Sequence, residues 1–207
     1  MIQLKQVSKR YGDIVALDQI DLTVQDGECV VLIGPSGCGK STLLRSINRL
    51  IDLDQGEILV NGQNISTYKA EDLRRQLGYC IQGVGLFPHL SVFDNIAIVP
   101  QLLKWDKTKI HDRIDALMDL TGLPLSYLTK KPHELSGGEA QRVGVCRALA
   151  ADPSILLMDE PFGAVDPMTR EQIQLAFRKI QRELKKTVLF VTHDMDEAIL
   201  LAARIAI

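Results

Sequence analysis

Apolar and polar positions alternate from the start of the chain. Ile2, Leu4 and Val7 open a period-two pattern that Leu17 to Val24 continues, so both segments are expected as strands. Asp26-Gly27 marks a turn before the apolar run Cys29 to Ile33, a further strand. Past the glycine-rich stretch Gly34 to Gly39 the period changes. Leu43, Leu44, Ile47 and Leu50 recur at helical spacing, which gives strand, loop and helix in that order. Asn61-Gly62 turns Glu57 to Val60 back on itself, and Leu77 to Ile81 forms another strand.

From Leu86 to about Asp152 the texture becomes helical. Ile110, Ile114, Leu117 and Met118 share one helical face, and Glu139 to Ala150 predicts a second helix closed by Pro153. This stretch is expected to be an inserted helical lobe. Strand patterns return at Ile155 to Met158 and Thr187 to Val191, separated by a helix with Ile173, Phe177, Ile180 and Leu184 as its apolar positions. Strands alternating with helices imply a largely parallel sheet. Arg204 to Ile207 resembles the opening of one more strand, so truncation at the C-terminus is expected.

A length of 207 residues suits one principal domain with a smaller lobe. The net charge of -2 gives no general electrostatic case for nucleic acid, so a bound phosphate would have to be held locally. Cys29, Cys38, Cys80 and Cys146 form no C-x-x-C pair and are expected as small buried thiols in a reducing cytosol. Met1 to Arg10 lacks the apolar core of a secretory signal. No stretch approaches the roughly 18 apolar residues of a membrane-spanning helix, so the chain is expected to be soluble by itself.

Gly34-Pro35-Ser36-Gly37-Cys38-Gly39-Lys40-Ser41 fits G-x-x-x-x-G-K-[ST], the P-loop pattern, in the required place after a buried strand and before an amphipathic helix. Glycines let successive backbone N–H groups, through Thr42, converge on a β-phosphate at the positive end of the helix dipole. Lys40 supplies a mobile charge for the β and γ oxygens, and the Ser41 hydroxyl can ligate Mg²⁺. The loop by itself does not separate kinases, GTPases and transport ATPases. The apolar run ending at Met158 delivers Asp159 and Glu160 to the carboxyl edge of the sheet, where phosphates are expected. Asp159 would hold Mg²⁺ and Glu160 would deprotonate the attacking water.

Leu135-Ser136-Gly137-Gly138-Glu139, continuing as Ala140-Gln141-Arg142-Val143, resembles the signature motif of ABC ATPases. Ser136 with the amides of Gly137 and Gly138 makes a second anion site at a helix N-terminus, one more than a single nucleotide requires. The resemblance accounts for the surplus. In that family two subunits pack head to tail, and the signature of one caps the γ-phosphate held by the P-loop of the other. Glu139 departs from the commoner Gln of the family pattern.

The resemblance extends from Tyr11 to His193. It implies that Tyr11 stacks on adenine, that Gln82 touches Mg²⁺ and the attacking water, that Asp166 of Gly163-Ala164-Val165-Asp166 reaches across the dimer, and that His193 contacts the γ-phosphate. Taken singly, Tyr11 would read as a packing residue and His193 as a satisfied loop histidine; their order along the chain reverses that. His89, His111 and His133 share no metal-ligand spacing. The fold implied is a single α/β ABC ATPase domain over 1–207, with a mostly parallel sheet and an antiparallel portion. Residues 1–85 and 153–207 would form its core lobe, and 86–152 its helical lobe.

The apolar loop Gly83 to Leu90 lies where this family docks a membrane permease, with Phe87 as the expected contact. Asn95 to Pro100, Trp105 and Glu160-Pro161-Phe162-Gly163 are similar to ATPases of bacterial importers for glycine betaine, choline and related osmoprotectants. Those importers imply peripheral attachment to the cytoplasmic face of the membrane and an indirect link to a solute-binding protein. An exporter ATPase and a soluble ABC protein are the competing readings. A GTPase is opposed by the absence of an N-K-x-D motif.

Overall fold

A computed structural model describes residues 1–83 and 85–207. Two sheets organise it. The first is antiparallel, with β1 (Ile2–Tyr11), β2 (Ile14–Val24), β4 (Gln55–Val60) and β5 (Gln63–Asn64) in the order β2-β1-β4-β5. The second is parallel throughout. It contains β3 (Cys29–Ile33), β6 (Leu77–Cys80), β7 (Ile155–Asp159), β8 (Thr187–Thr192) and β9 (Arg204–Ala206) in the order β6-β7-β8-β3-β9. The strand expected at the end of the chain is therefore β9, paired with β3.

Side chains of the central strands alternate between two cores. Val30, Leu32, Ile155, Leu157, Leu189 and Val191 face a core shared with the antiparallel sheet and α1 (Lys40–Ile47). Cys29, Val31, Leu156, Met158, Val188 and Phe190 face the helices on the other side. Period-two alternation with both faces covered is why these strands read as unbroken apolar runs.

Helices α3 (Val92–Leu102), α4 (Lys107–Leu120) and α5 (Gly137–Leu149) pack against one another between β6 and β7 in the chain. The four apolar residues expected on one face of α4 are all buried. Helices α2 (Ala70–Gln76) and α7 (Met195–Leu201), like α3, carry too little periodic pattern to be expected from sequence.

Several boundaries differ from expectation. α1 stops at Ile47, because Arg49 adopts φ 49° and Leu50 N–H bonds back to the Arg45 carbonyl at 2.8 Å, leaving Leu50 exposed beyond the helix. α5 begins at Gly137 rather than Glu139. It ends at Leu149, and Asp152, at φ 53°, turns the chain before Pro153 is reached. On α6 (Pro167–Glu183) Leu184 lies past the helix and is exposed, while Gln174 and Gln181 take buried positions instead. Gln181 donates to the carbonyls of Gly27 at 2.8 Å and Lys186 at 3.0 Å, which satisfies its buried amide.

Candidate functional site

The parallel sheet places the carboxyl ends of β3, β6, β7 and β8 along one edge, and the candidate residues follow those ends. Between Ile33 and Lys40 the glycine-rich loop crosses from sheet to helix, with φ of 85° at Gly37 and 100° at Gly39. A Cβ at Gly39 would run into the Ala16 carbonyl oxygen, so the β1–β2 hairpin can lie on the loop only with glycine there. No side chain caps α1, which leaves the first-turn N–H groups of Lys40, Ser41 and Thr42 free for an anion. The Lys40 ammonium donates to the carbonyls of Gly34 at 2.7 Å and Pro35 at 2.8 Å, at the centre of the loop. Cys38 is exposed, contrary to the expectation of a buried thiol, because the loop that carries it lies over the sheet edge rather than within a core. Burial pushes the thiols of Cys29, Cys80 and Cys146 up to about 12.

Tyr11 ends β1, paired with Ile14 in the same hairpin that touches Gly39. Its ring is half-exposed, with Lys9 Nζ 5.6 Å from the ring centre.

Ser41 Oγ donates to Asp159 Oδ1 at 3.0 Å. Asp159 is only 1% exposed, and its Oδ2 is buried without a partner among the described residues. Burial pushes the Asp159 carboxyl above the usual range; the Ser41 hydrogen bond opposes the shift and the neighbouring Glu160 charge adds to it. The orphaned oxygen beside a serine hydroxyl is a hard-oxygen donor set that Mg²⁺ fits. Next along the edge, Glu160 Oε1 lies 3.4 Å from His193 Nδ1. Glu160 holds φ 48°, a left-handed conformation unusual for a side chain of its size.

Ser136 caps α5 and forms a reciprocal capping box with Glu139: Glu139 N–H donates to Ser136 Oγ at 3.3 Å, and Ser136 N–H donates to Glu139 Oε2 at 2.7 Å. Tyr127 Oη adds a bond to Glu139 Oε1 at 3.1 Å. These contacts, the Ser136 amide foremost, hold the Glu139 carboxyl below the usual carboxylate range. A Cβ on Gly138 would come within 3.0 Å of the Ala164 carbonyl, so the signature packs closely on its own chain's Gly163–Asp166 loop. Among the described residues no hydrogen bond joins residues 136–138 to the P-loop. Asp166 caps α6, accepting from Thr169 N–H at 3.0 Å.

Gln82 is exposed just after β6. Val84, within the apolar loop singled out above, lies outside the described residues. Phe87 is 45% exposed and borders a groove of about 320 Å³ together with Arg74, Tyr79, Val99 and Arg147. The loop is anchored from below by Asn95, which is fully buried. Its Oδ1 accepts from Phe87 N–H at 2.8 Å, and its Nδ2 donates to the carbonyls of Phe87, Leu90 and Ser91. No helix among the described residues is long and apolar enough to cross a membrane.

The profile of the ABC transporter family matches residues 17–163, from β2 through Gly163. The chain belongs to the ABC transporter family. It is 53% identical over 208 residues to the glycine betaine/carnitine/choline transport ATP-binding protein OpuCA of Bacillus subtilis, covering all of this chain and 55% of that protein. The chain thus spans about half the length of the curated relatives it matches first. The dimeric structure of MJ0796, a bacterial ABC transporter cassette, superimposes with a TM-score of 0.90 at 35% identity, covering 97% of this chain and 91% of that one. A second structure of that cassette, a dimeric post-hydrolysis state bound to ADP and Pi, gives 0.89 at 34% identity, with the same coverage.

Beside these motifs, this ABC chain contains polar residues to which sequence reasoning gave no role. Gln141 is buried and bonds to the backbone of both Glu160 and Ala164. Glu197, also buried, accepts from Gln174 Nε2 at 2.8 Å behind His193, and its burial raises its carboxyl above the usual range. Arg170 donates to the Val165 carbonyl at 2.9 Å. The Ser136-x-x-Glu139 spacing is a signal that could have announced the capping box and the earlier helix start; the other three carry no local signal.

Proposed function

We propose that this chain is the ATP-binding and ATP-hydrolysing subunit that powers an importer of quaternary ammonium osmoprotectants. The observation that carries the reading is the bond of Ser41 to Asp159, whose second oxygen has no partner among the described residues, one residue from the Glu160–His193 pair and at an uncapped helix N-terminus. In a family of transport cassettes, that grouping suits a nucleoside triphosphate and water.

Residues 34–42 would bind the triphosphate through backbone amides, with Lys40 exchanging its carbonyl partners for phosphate oxygens. Tyr11 would stack on the adenine. Ser41 and Asp159, with Gln82, would hold Mg²⁺, which supplies charge neutralisation on the β and γ oxygens. Glu160 would accept the proton of the attacking water while His193, 3.4 Å away, orients that carboxylate and reaches the γ-phosphate. Ser136, Gly137 and Gly138 would cap the nucleotide held by a second copy of the chain, with Asp166 at the same interface. Residues 1–85 and 153–207 would act as the core lobe and 86–152 as the helical lobe.

The groove beside Phe87 would receive a permease subunit at the cytoplasmic face of the membrane. The solute class rests on the name of the Bacillus subtilis relative, whose likeness spans this whole chain. Two variants separate binding from chemistry. Glu160→Gln should bind ATP with unchanged affinity and lose at least about 100-fold in turnover, because the cradle survives without its base. Lys40→Ala should lose ATP affinity itself. Undiminished hydrolysis by Glu160→Gln would remove the carboxylate from this role. Labelled glycine betaine uptake by cells carrying the intact transport system should fall to background with either variant.

A further inference from the structure

Gln141 lies in the second turn of α5, the helix whose N-terminus carries the Ser136–Gly138 signature, and it is 4% exposed. Its two amide atoms point to two different loops. Nε2 donates to the Glu160 carbonyl at 2.8 Å, and Oε1 accepts from Ala164 N–H at 2.6 Å. The Glu160 peptide is held on its other side by β8, where Glu160 N–H donates to the Val191 carbonyl at 3.0 Å. A residue at φ 48° keeps that conformation only where its surroundings over-determine it, and Gln141 does so here together with Val191 and with Gly163, whose N–H also donates to the Glu160 carbonyl at 3.3 Å. Closer to the signature, Gly138 sits against the Ala164 carbonyl and Val165. The start of α5, the Gly163–Asp166 loop and the Glu160 backbone are therefore one connected unit.

We propose that Gln141 is a positioning residue that transmits engagement of the signature at one nucleotide to the hydrolytic carboxylate at the other. This rests on the dimeric ATPase reading above. In such a dimer the signature of a chain touches its partner's nucleotide while its Glu160 serves its own, and the Gln141 side chain links the signature helix to the Glu160 backbone directly. A shift of α5 on capping would be carried to the Glu160 peptide and to the Ala164 amide together. The amide serves both because it donates from one atom and accepts at the other; a carboxylate keeps the acceptor and loses the donor, and leucine loses both.

The test compares the purified full chain with Gln141→Glu, Gln141→Leu and Glu160→Gln, measuring kcat, KM and the Hill coefficient for ATP, the affinity for a fluorescent ATP analogue, and Tm. The wild type should hydrolyse ATP with a Hill coefficient above 1. Both Gln141 variants should lose about 10- to 100-fold in kcat, the scale of a small misplacement of a reacting group. Their Hill coefficient should fall towards 1, with analogue affinity within about 2-fold of wild type. Gln141→Glu, nearly isosteric, keeps the test decisive if Gln141→Leu does not fold. A Gln141→Glu chain with wild-type kcat, or with reduced kcat and an unchanged Hill coefficient, overturns the link while leaving the ATPase reading intact. A wild type that hydrolyses ATP without cooperativity also overturns the link alone. A wild type with no hydrolysis overturns both.

Discussion

Glu139 shows how a single departure from a family pattern acquires a physical role. Its carboxylate takes the Ser136 N–H at 2.7 Å and is held by Tyr127 from the other side, so the ionised form is the one the fold prefers. Its pKa lies below the usual value of 4.5. The contribution to stability is accordingly complete above that value and lost as pH falls through the lower, folded-state pKa. Glu139→Ala should therefore reduce stability near neutral pH by about 1 kcal/mol, the scale of an N-terminal cap, or roughly 2–4 °C in Tm. The gap between wild type and variant should narrow as pH is lowered below about 4.5. Thermal melts of the two proteins from pH 8 to pH 2.5 read this directly, and a gap that stays constant would show that the carboxylate charge is not what caps the helix.

At the scale of elements, β6 and α5 are in contact through a glycine. A Cβ at Gly78 would collide with the Ala148 carbonyl oxygen and come within 2.6 Å of Leu156 and 2.7 Å of Pro153. Gly78→Ala is expected to destabilise the fold by about 1–3 kcal/mol, as overpacking does, seen as a lower urea midpoint with an unchanged m-value. Gln181→Ala would leave the Gly27 and Lys186 carbonyls short of a donor, at a cost of about 1–3 kcal/mol by the same measurement. These elements differ in how much of themselves the sequence displays. Strands β3, β7 and β8 are legible because burial on both faces demands unbroken apolar runs, and α4 because its four buried residues fall on one stripe. α6 is only half legible, since buried glutamines stand where apolar residues would announce its inner face. The P-loop, Asp159 with Glu160, and the signature could be read because their spacing carries the chemistry. Gln141 could not, because its partners lie 19 and 23 residues away and only the folded chain brings them together.

For the whole molecule, the first-turn amides of α1 and the Ser136 cap are two helix N-termini with no hydrogen bond between them among the described residues, and the matched MJ0796 cassettes are dimeric. Light scattering should find Glu160→Gln at twice the mass of one chain when ATP and Mg²⁺ are present, and at the mass of one chain when they are absent. Monomer under both conditions would count against two copies sharing the nucleotide. The Phe87 loop bears on how such a change of assembly would be felt elsewhere. Because the buried amide of Asn95 grips that loop at Phe87, Leu90 and Ser91, the surface there has little slack of its own. A load applied to Phe87 would reach α3 through Asn95, and α3 packs on α5. Its mechanical arrival point is then the same helix that Ser136 caps, where the proposed dimer would place a second nucleotide.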